Sequence, residues 1–407
     1  MFLTDHGIRL SAVLERPNEA PGPLVIFLHG FTSSKDRPHN VASCEAMREA
    51  GFATLRVDLY GHGESDGAFR RHTLNHWVSN AMAAVAWAEE QDWVTEVWLS
   101  GHSQGGLTAA LAAGQAPEHI RGLILRAPAF MIPGCARAGS MLGHSFDPEH
   151  IPDSFPVIKG LTLDGTYLRA AQAIRVEDAI DRFPWPVLLI HGDEDDTVPP
   201  EDSVKAAARY RQATLEIMRG ETHHFDRHPG ELKRIIRDWL KRQRRVILLN
   251  GPSSSGKSTL SRALQTLIAE RTGGRYAVIS IDDYMRVPPD ETIYEDDVFE
   301  ISGELCRGVL DALKTAPGAV IDHVITSERI FRGLTNALRS CELQTVRVTC
   351  PLAVLRAREK ARGDRCPGSA ESSDTWLWPK KGYDLTVDTG SLFPEAAAEA
   401  IFERFFG

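Results

Sequence analysis

The chain has little that would place it in or across a membrane. No run is long and apolar enough to span a bilayer. Met1-Phe-Leu-Thr-Asp-His-Gly7 lacks the basic-then-apolar pattern of a secretion signal. Paired cysteines are also missing. The six cysteines (Cys44, Cys135, Cys306, Cys341, Cys350, Cys366) are scattered and form no Cys-x-x-Cys. That argues against a disulfide framework or a zinc site and for reduced thiols. There is no excess of positive charge: the formal net charge is −9, which speaks against a nucleic-acid coat. The one basic run, Lys241-Arg-Gln-Arg-Arg245, reads as the solvated last turn of a helix, favoured there by the helix dipole. No Gly/Ser- or Pro-rich linker, internal repeat or low-complexity segment occurs. The expectation is a cytoplasmic protein acting on small molecules, with neither membrane nor nucleic acid as partner. Its oligomeric state is open.

What is present is enough for two domains. At 407 residues the chain exceeds one ordinary core. Its 43% apolar and 25% charged composition is that of a soluble globular protein. Strand-like and helix-like runs alternate throughout, which predicts parallel α/β architecture. In the first half the strand-like runs are Leu24–Leu28, Ala53–Val57, Val97–Ser100, Gly122–Leu125 and Pro186–Ile190. The segment Phe130–Arg182 is long, irregular and placed between two core strands, as a cover over an active site would be. A predicted helix from Gly230 to Arg242 closes the first unit, and a strand from Val246 opens the second. The division therefore reads as 1–243, with a lid at about 130–182, and 244–407.

Leu99-Ser-Gly-His-Ser-Gln-Gly-Gly106 is a Gly-x-Ser-x-Gly elbow between a strand and a helix. A serine hydroxyl is a poor nucleophile without a base and oxyanion donors. Gly101 and Gly105 let Ser103 stand on a tight turn above the sheet. The partners follow in the order acid, then histidine. Asp195, in His191-Gly-Asp-Glu-Asp-Asp-Thr-Val-Pro199, is the preferred acid beside Asp193 and Asp196. His223, in Gly220-Glu-Thr-His-His-Phe225, is preferred to His224 and His228. The oxyanion donors are expected to be the backbone N–H groups of Gln104 and Phe31, the latter in Leu28-His-Gly-Phe-Thr32.

On these residues, together with Asp58-Leu-Tyr-Gly-His-Gly-Glu-Ser-Asp66, Phe146-Asp-Pro-Glu-His-Ile-Pro-Asp153 and Gly165-Thr-Tyr-Leu-Arg169, residues 1–243 resemble the α/β-hydrolase superfamily, and within it the bacterial cinnamoyl (feruloyl) esterases. The resemblance implies a serine carboxylesterase with a small lid. It implies that Tyr167 reaches a phenolic hydroxyl of an aromatic acyl group; the residue alone reads equally as a packed lid aromatic. Gly134-Cys-Ala-Arg-Ala-Gly139 departs from the family pattern, which has an acid in the lid.

Val246-Ile-Leu-Leu-Asn-Gly-Pro-Ser-Ser-Ser-Gly-Lys-Ser-Thr259 fills every fixed position of a P-loop between a strand and a helix. Gly251, Ser253, Ser254, Ser255, Gly256, Lys257, Ser258 and Thr259 are the expected ATP-binding residues, with backbone N–H groups around the phosphates at a helix N-terminus. Ser258 and Asp322, which ends the strand Ala319–Ile321, are candidate Mg²⁺ ligands; Asp322 reads alternatively as a second-sphere acid or a helix cap. Asp282 is the expected acceptor of the substrate proton, with Asp283 the alternative. In Arg356-Ala-Arg-Glu-Lys-Ala-Arg-Gly-Asp-Arg365, Arg362 and Arg365 are expected on the phosphates, whereas Arg356 and Arg358 are expected solvated or paired along the helix. Trp376 and Trp378 read as substrate contacts or as packing.

Residues 246–407 resemble the chloramphenicol phosphotransferase family through the P-loop, Ile281-Asp282, Val320-Ile-Asp322, Arg358–Arg365 and Tyr383-Asp384 with Val387-Asp-Thr389. The resemblance implies a shikimate- and adenylate-kinase-like fold, with Asp282 and Lys257 as its catalytic pair and a small-molecule hydroxyl as acceptor. The acidic acceptor region, with Glu291, Glu295, Asp296 and Asp297, departs from it. The expectation is a bifunctional esterase and ATP-dependent phosphotransferase using ATP and Mg²⁺. The alternative is one working domain and one that senses a ligand. A polynucleotide kinase is disfavoured by the acidic balance.

Overall fold

A computed structural model describes residues 1–19, 21–285, 294–362 and 367–406. The chain divides into two compact units, Met1–Leu240 and Lys241–Gly407.

The first unit opens with β1 (Phe2–Asp5) and β2 (Ile8–Glu15), followed by β3 (Gly22–Leu28), α1 (Pro38–Glu49), β4 (Ala53–Val57) and α2 (Leu74–Glu89). Next come β5 (Val94–His102), α3 (Gln104–Gln115) and β6 (Leu123–Arg126). The insertion holds α4 (Ile132–Ala138), the short strands β7 (Ser140–Met141), β8 (His144–Ser145), β9 (Ser154–Pro156) and β10 (Thr162–Asp164), α5 (Thr166–Ala173) and α6 (Val176–Arg182). The unit closes with β11 (Val187–Gly192), α7 (Pro200–Arg209), β12 (Ala213–Met218) and α8 (Pro229–Arg242).

Eight strands form one sheet in the order β1-β2-β4-β3-β5-β6-β11-β12. From β4 to β12 every pairing is parallel. Successive side chains of a strand point to opposite faces. Thus Leu24, Ile26 and Leu28 of β3 enter one core while Val25 and Phe27 enter the other. β11 divides its residues likewise, with Val187 and Leu189 on one face and Leu188 and Ile190 on the other. Strands buried on both faces read as continuous apolar runs, which is why the sequence reveals them. The expectation of parallel strands is corrected at one edge, where β1 and β2 form an antiparallel hairpin and β2 runs antiparallel to β4. The hairpin turns at His6 and Gly7, both at positive φ (47° and 85°), the geometry that a two-residue turn demands.

The second unit contains β13 (Arg245–Asn250), α9 (Lys257–Thr272), β14 (Ala277–Ser280) and α10 (Glu295–Ala312). It continues with β15 (Gly318–His323), α11 (Glu328–Ala337), β16 (Glu342–Thr349), α12 (Leu352–Arg362), α13 (Ser369–Trp376), β17 (Leu385–Asp388) and α14 (Pro394–Phe406). Its five strands are all parallel, in the order β14-β15-β13-β16-β17. Val246 and Leu248 of the central β13 pack into one core, Ile247 and Leu249 into the other. No helix among the described residues is long and apolar enough to cross a membrane. Cys44, Cys135, Cys306, Cys341 and Cys350 form no disulfide.

Candidate active sites

Parallel pairing brings the C-terminal ends of β3, β5, β6, β11 and β12 to one edge of the first sheet. In register, Leu28 faces Gly101, His102 faces Arg126, and His191 faces Ile217. The ends of β3, β5, β11 and β12 lead into the segments that carry Phe31, Ser103, Asp195 and His223.

Ser103 follows β5 at φ 57°, ψ −123° and starts α3. Such strain persists only where the surroundings enforce it. A Cβ on Gly101 would stand 2.2 Å from Gly105 O, and one on Gly105 would stand 2.3 Å from Leu28 O. Both glycines are therefore required by close backbone approach. Asp195 is buried in the turn after β11, its Oδ2 2.7 Å from His223 Nδ1. Its Oδ1 accepts the backbone N–H groups of Thr197 and Val198, each at 2.9 Å. Burial works against ionisation of Asp195. Hydrogen bonds from His191 and His223 outweigh it and hold the carboxyl well below the usual carboxylate range. With Nδ1–H donating to Asp195, His223 keeps Nε2 as its basic nitrogen. His102, next to Ser103, donates Nε2–H to His223 O at 2.7 Å and so ties the histidine loop to the elbow.

The structure separates the alternatives. Asp193 accepts Gly220 N–H at 2.6 Å, and Asp196 is exposed and holds Thr197. His228 sits beside Glu221 at 3.4 Å, and the His224 ring lies against His39.

The loop carrying Phe31 is held from two sides. A Cβ on Gly30 would lie 3.1 Å from Ser103 Cβ, so this turn abuts the nucleophile. His29 Nε2 accepts Leu59 N–H at 3.0 Å, which places the proton on Nδ1, donating to Gly30 O at 2.8 Å. Burial keeps this ring neutral. Further along, Lys35 is buried with its Nζ 2.8 Å from Asp58 Oδ2 and 2.7 Å from Glu64 Oε2, and its N–H donates to Asp58 Oδ1 at 2.7 Å. Burial opposes the charge on Lys35, but the carboxylates prevail and push its pKa up. Lys35→Met leaves the fully buried Asp58 charge without its cation. The expected loss is about 3–5 kcal/mol of stability, read as a lowered urea midpoint; an unchanged midpoint would show that the pair holds nothing.

Tyr167 on α5 is buried, and its hydroxyl donates to Gln104 Oε1 at 2.8 Å. Its ring meets His72 edge-on at 5.3 Å. Tyr167 therefore braces Gln104, the residue that follows Ser103. Tyr167→Phe removes the donor from a buried acceptor and is expected to cost about 1–3 kcal/mol, measured by thermal unfolding. A residue that met only ligand would leave the melting temperature unchanged.

In the second unit a cavity of about 1160 Å³ is lined by Ser253, Ser254, Gly256, Lys257, Ser258 and Thr259 of the loop after β13, and by Asp282, Asp322, Arg358, Arg362 and Trp376. The loop turns at Ser254 and Gly256, both at positive φ (63° and 88°). At its start, a Cβ on Gly251 would stand 2.3 Å from Val348 O. Ser255 is buried, and its carbonyl accepts the Thr389 hydroxyl at 2.5 Å. Lys257 Nζ donates to Pro252 O at 2.8 Å and stands 3.8 Å from Asp322 Oδ1. Ser258 Oγ lies 2.5 Å from Asp322 Oδ2. A hydroxyl and one carboxylate beside a phosphate loop are the hard oxygen donors that suit Mg²⁺, which takes its other ligands from water and phosphate. The described residues hold no cluster of three or more metal-ligating side chains, so they offer no all-protein cage.

Asp283 accepts Ser280 N–H at 3.4 Å, whereas Asp282 lines the cavity. The helix-cap alternative for Asp322 gives way to its bond with Ser258. One expectation for α12 is corrected, while Arg356 is exposed as expected. Arg358 is neither solvated nor paired along the helix: it donates to Ser255 O at 3.3 Å and Thr389 O at 2.9 Å and lines the cavity. Its spacing from the loop in sequence gave no sign of this. Arg356 does pair, but with Glu371 of α13 at 2.6 Å. Arg365 and Glu291 lie outside the described residues. Trp376 lines the cavity, while Trp378 packs on the core.

Residues 19–154 match the family model described as "Serine aminopeptidase, S33", and residues 244–405 match "Chloramphenicol phosphotransferase-like protein". Among solved structures, Est1E from Butyrivibrio proteoclasticus with ferulic acid bound is 44% identical, over 59% of this chain and 97% of that one, with a TM-score of 0.58. Human palmitoyl-protein thioesterase ABHD10, mitochondrial, is 23% identical over 58% of this chain and 77% of its own length. Human Protein ABHD12B is 26% identical over 44% of this chain, which spans 47% of that relative.

Proposed function

The chain belongs through its first unit to the α/β-hydrolases and carries in its second a chloramphenicol phosphotransferase-like domain, and we propose from this that it is a bifunctional small-molecule enzyme, a serine carboxylesterase joined to an ATP-dependent phosphotransferase. Ser103 Oγ attacks the ester carbonyl as His223 Nε2 takes its proton. The N–H groups of Gln104 and Phe31 receive the oxyanion. His223 returns the proton to the departing alcohol, and water then releases the acid by the same steps. The observation that carries this half is the buried 2.7 Å hydrogen bond between Asp195 and His223, on the sheet edge that holds the strained Ser103. An aromatic acyl group is the favoured substrate, because the 44%-identical Est1E binds ferulic acid.

In the second half Asp282 accepts the proton of an acceptor hydroxyl as its oxygen attacks the γ-phosphorus of ATP and ADP departs. Lys257, Arg358 and Arg362 offset the charge that spreads over the phosphate oxygens. Ser258 and Asp322 would hold Mg²⁺, which neutralises phosphate charge when bound. The acceptor is a small-molecule hydroxyl, with antibiotic-like alcohols the first class to examine. The test is an assay of the purified chain on short-chain and hydroxycinnamate esters, and on γ-labelled ATP with a panel of hydroxyl compounds. Ester turnover and label transfer are both expected. ATP binding without transfer to any acceptor would instead favour a sensing role for the second unit.

A further inference from the structure

A second imidazole reaches the catalytic acid. His191, in β11, is fully buried four residues before Asp195. Its Nε2 lies 3.1 Å from Asp195 Oδ2 and 3.0 Å from Val198 O. Two acceptors at one nitrogen fix the proton there. Nδ1, 2.7 Å from Ser203 Oγ, then accepts the hydroxyl proton of a buried serine on α7. The ring is thereby held at both ends. Asp195 Oδ2 receives N–H groups from two histidines, while Oδ1 receives two from the backbone.

We propose that His191 is a positioning residue for ester hydrolysis: it fixes the Asp195 carboxylate and shares Oδ2 with His223, and so sets how strongly the acid supports the base. The proposal rests on the hydrolase reading of Asp195 and His223. A carboxylate oxygen that feeds two donors gives less to each. Removing His191 concentrates the charge of Oδ2 on His223 and favours its imidazolium. The acid limb of kcat/KM then moves to higher pH. The carboxylate is also freed to rotate about its bonds to Thr197 and Val198, which lowers kcat.

Other titratable groups surround His223. Burial keeps His102 and His39 neutral, His39 falling to about 3. Arg126 stays charged, its pKa lowered by burial only to about 10. Glu221 is occupied by the N–H groups of Thr222, Arg227 and His228. The His224 ring lies 5.5 Å from that of His223, so the comparison is made in a His224→Asn background.

The experiment follows kcat and KM for 4-nitrophenyl acetate against pH in the full chain. His191→Phe is expected to raise the acid limb by about half a pH unit to one unit, and to lower plateau kcat about tenfold with KM within twofold. His191→Gln, which can place an amide N–H near the lost Nε2–H, returns the limb toward its original position. Ser203→Ala, which frees only the far end of the ring, shifts it the same way by less and serves if the phenylalanine variant fails to fold. A limb unmoved in Ser203→Ala and in whichever His191 variants fold, with kcat lowered alike, overturns the proposal. Labelling of Ser103 by a fluorophosphonate is measured beside it. Labelling with an unmoved limb sinks only the role of His191; absence of labelling in the unaltered chain sinks the hydrolase reading itself.

Discussion

Ser103→Ala is expected to lower ester hydrolysis by about 10⁴-fold or more and to leave phosphate transfer from ATP at its original rate. The size follows from chemistry: without the hydroxyl there is no acyl-enzyme, and His223 has no proton to take. What survives is the modest rate that the oxyanion N–H groups support with water as nucleophile. The selectivity follows from the fold. Ser103 depends on Gly101, Gly105 and the end of β5, all within the first unit. The change removes one oxygen and preserves Cβ, and alanine meets the same positive φ as serine. Unfolding should be nearly unaltered. Ester turnover is followed by spectrophotometry; turnover within tenfold of the unaltered chain would place the nucleophile elsewhere.

Lys257→Ala is expected to lower phosphate transfer on the order of 10³-fold and to leave ester turnover intact. The ammonium is the buried cation of the phosphate loop, held at Pro252 O and 3.8 Å from Asp322. Its loss removes charge stabilisation from the transferring phosphate and also leaves Asp322 short of a cation. Both effects act in the second unit alone. A lysine that meets phosphate in ground and transition states alike would make KM for ATP rise as kcat falls, and that is the expected result. Asp282→Asn separates proton transfer from binding: a loss of about 10² to 10⁴ in kcat is expected, with ATP affinity retained. Labelled-phosphate transfer measures both variants. An Asp282→Asn variant that transfers phosphate at full rate would remove that residue from the reaction.

The strands buried on both faces were legible because their apolar runs are continuous, as at Leu24–Leu28 and Val246–Leu249. The loops after them were legible because chemistry restricts their residues: glycine around Ser103, and Gly-Lys-Ser at 256–258. The antiparallel β1–β2 hairpin was not, because Phe2–Asp5 is half exposed and both it and Ile8–Glu15 mix polar with apolar residues. Ala213–Met218 was missed for the same reason, as an edge strand with Thr214 and Glu216 among its residues. The roles of His191, Lys35 and Arg358 are set by contacts between segments. His191 and Asp195 are near in sequence, but only the turn through Val198 folds them onto one oxygen. Arg358 reads as one more charge on α12 until the chain brings Ser255 and Thr389 to it. Tyr167 reads from the sequence as a lid residue, and its Gln104 partner, 63 residues away, could not be read there.

Independent ester hydrolysis and phosphate transfer by one polypeptide require two separate sets of reacting groups. The most direct measurement runs both assays on single preparations of the unaltered chain, Ser103→Ala and Lys257→Ala. The account predicts reciprocal loss, with each variant silent in one assay and unchanged in the other. Loss of both activities from either substitution in a chain that still melts cooperatively, or ester turnover that survives without the Ser103 hydroxyl, would contradict it.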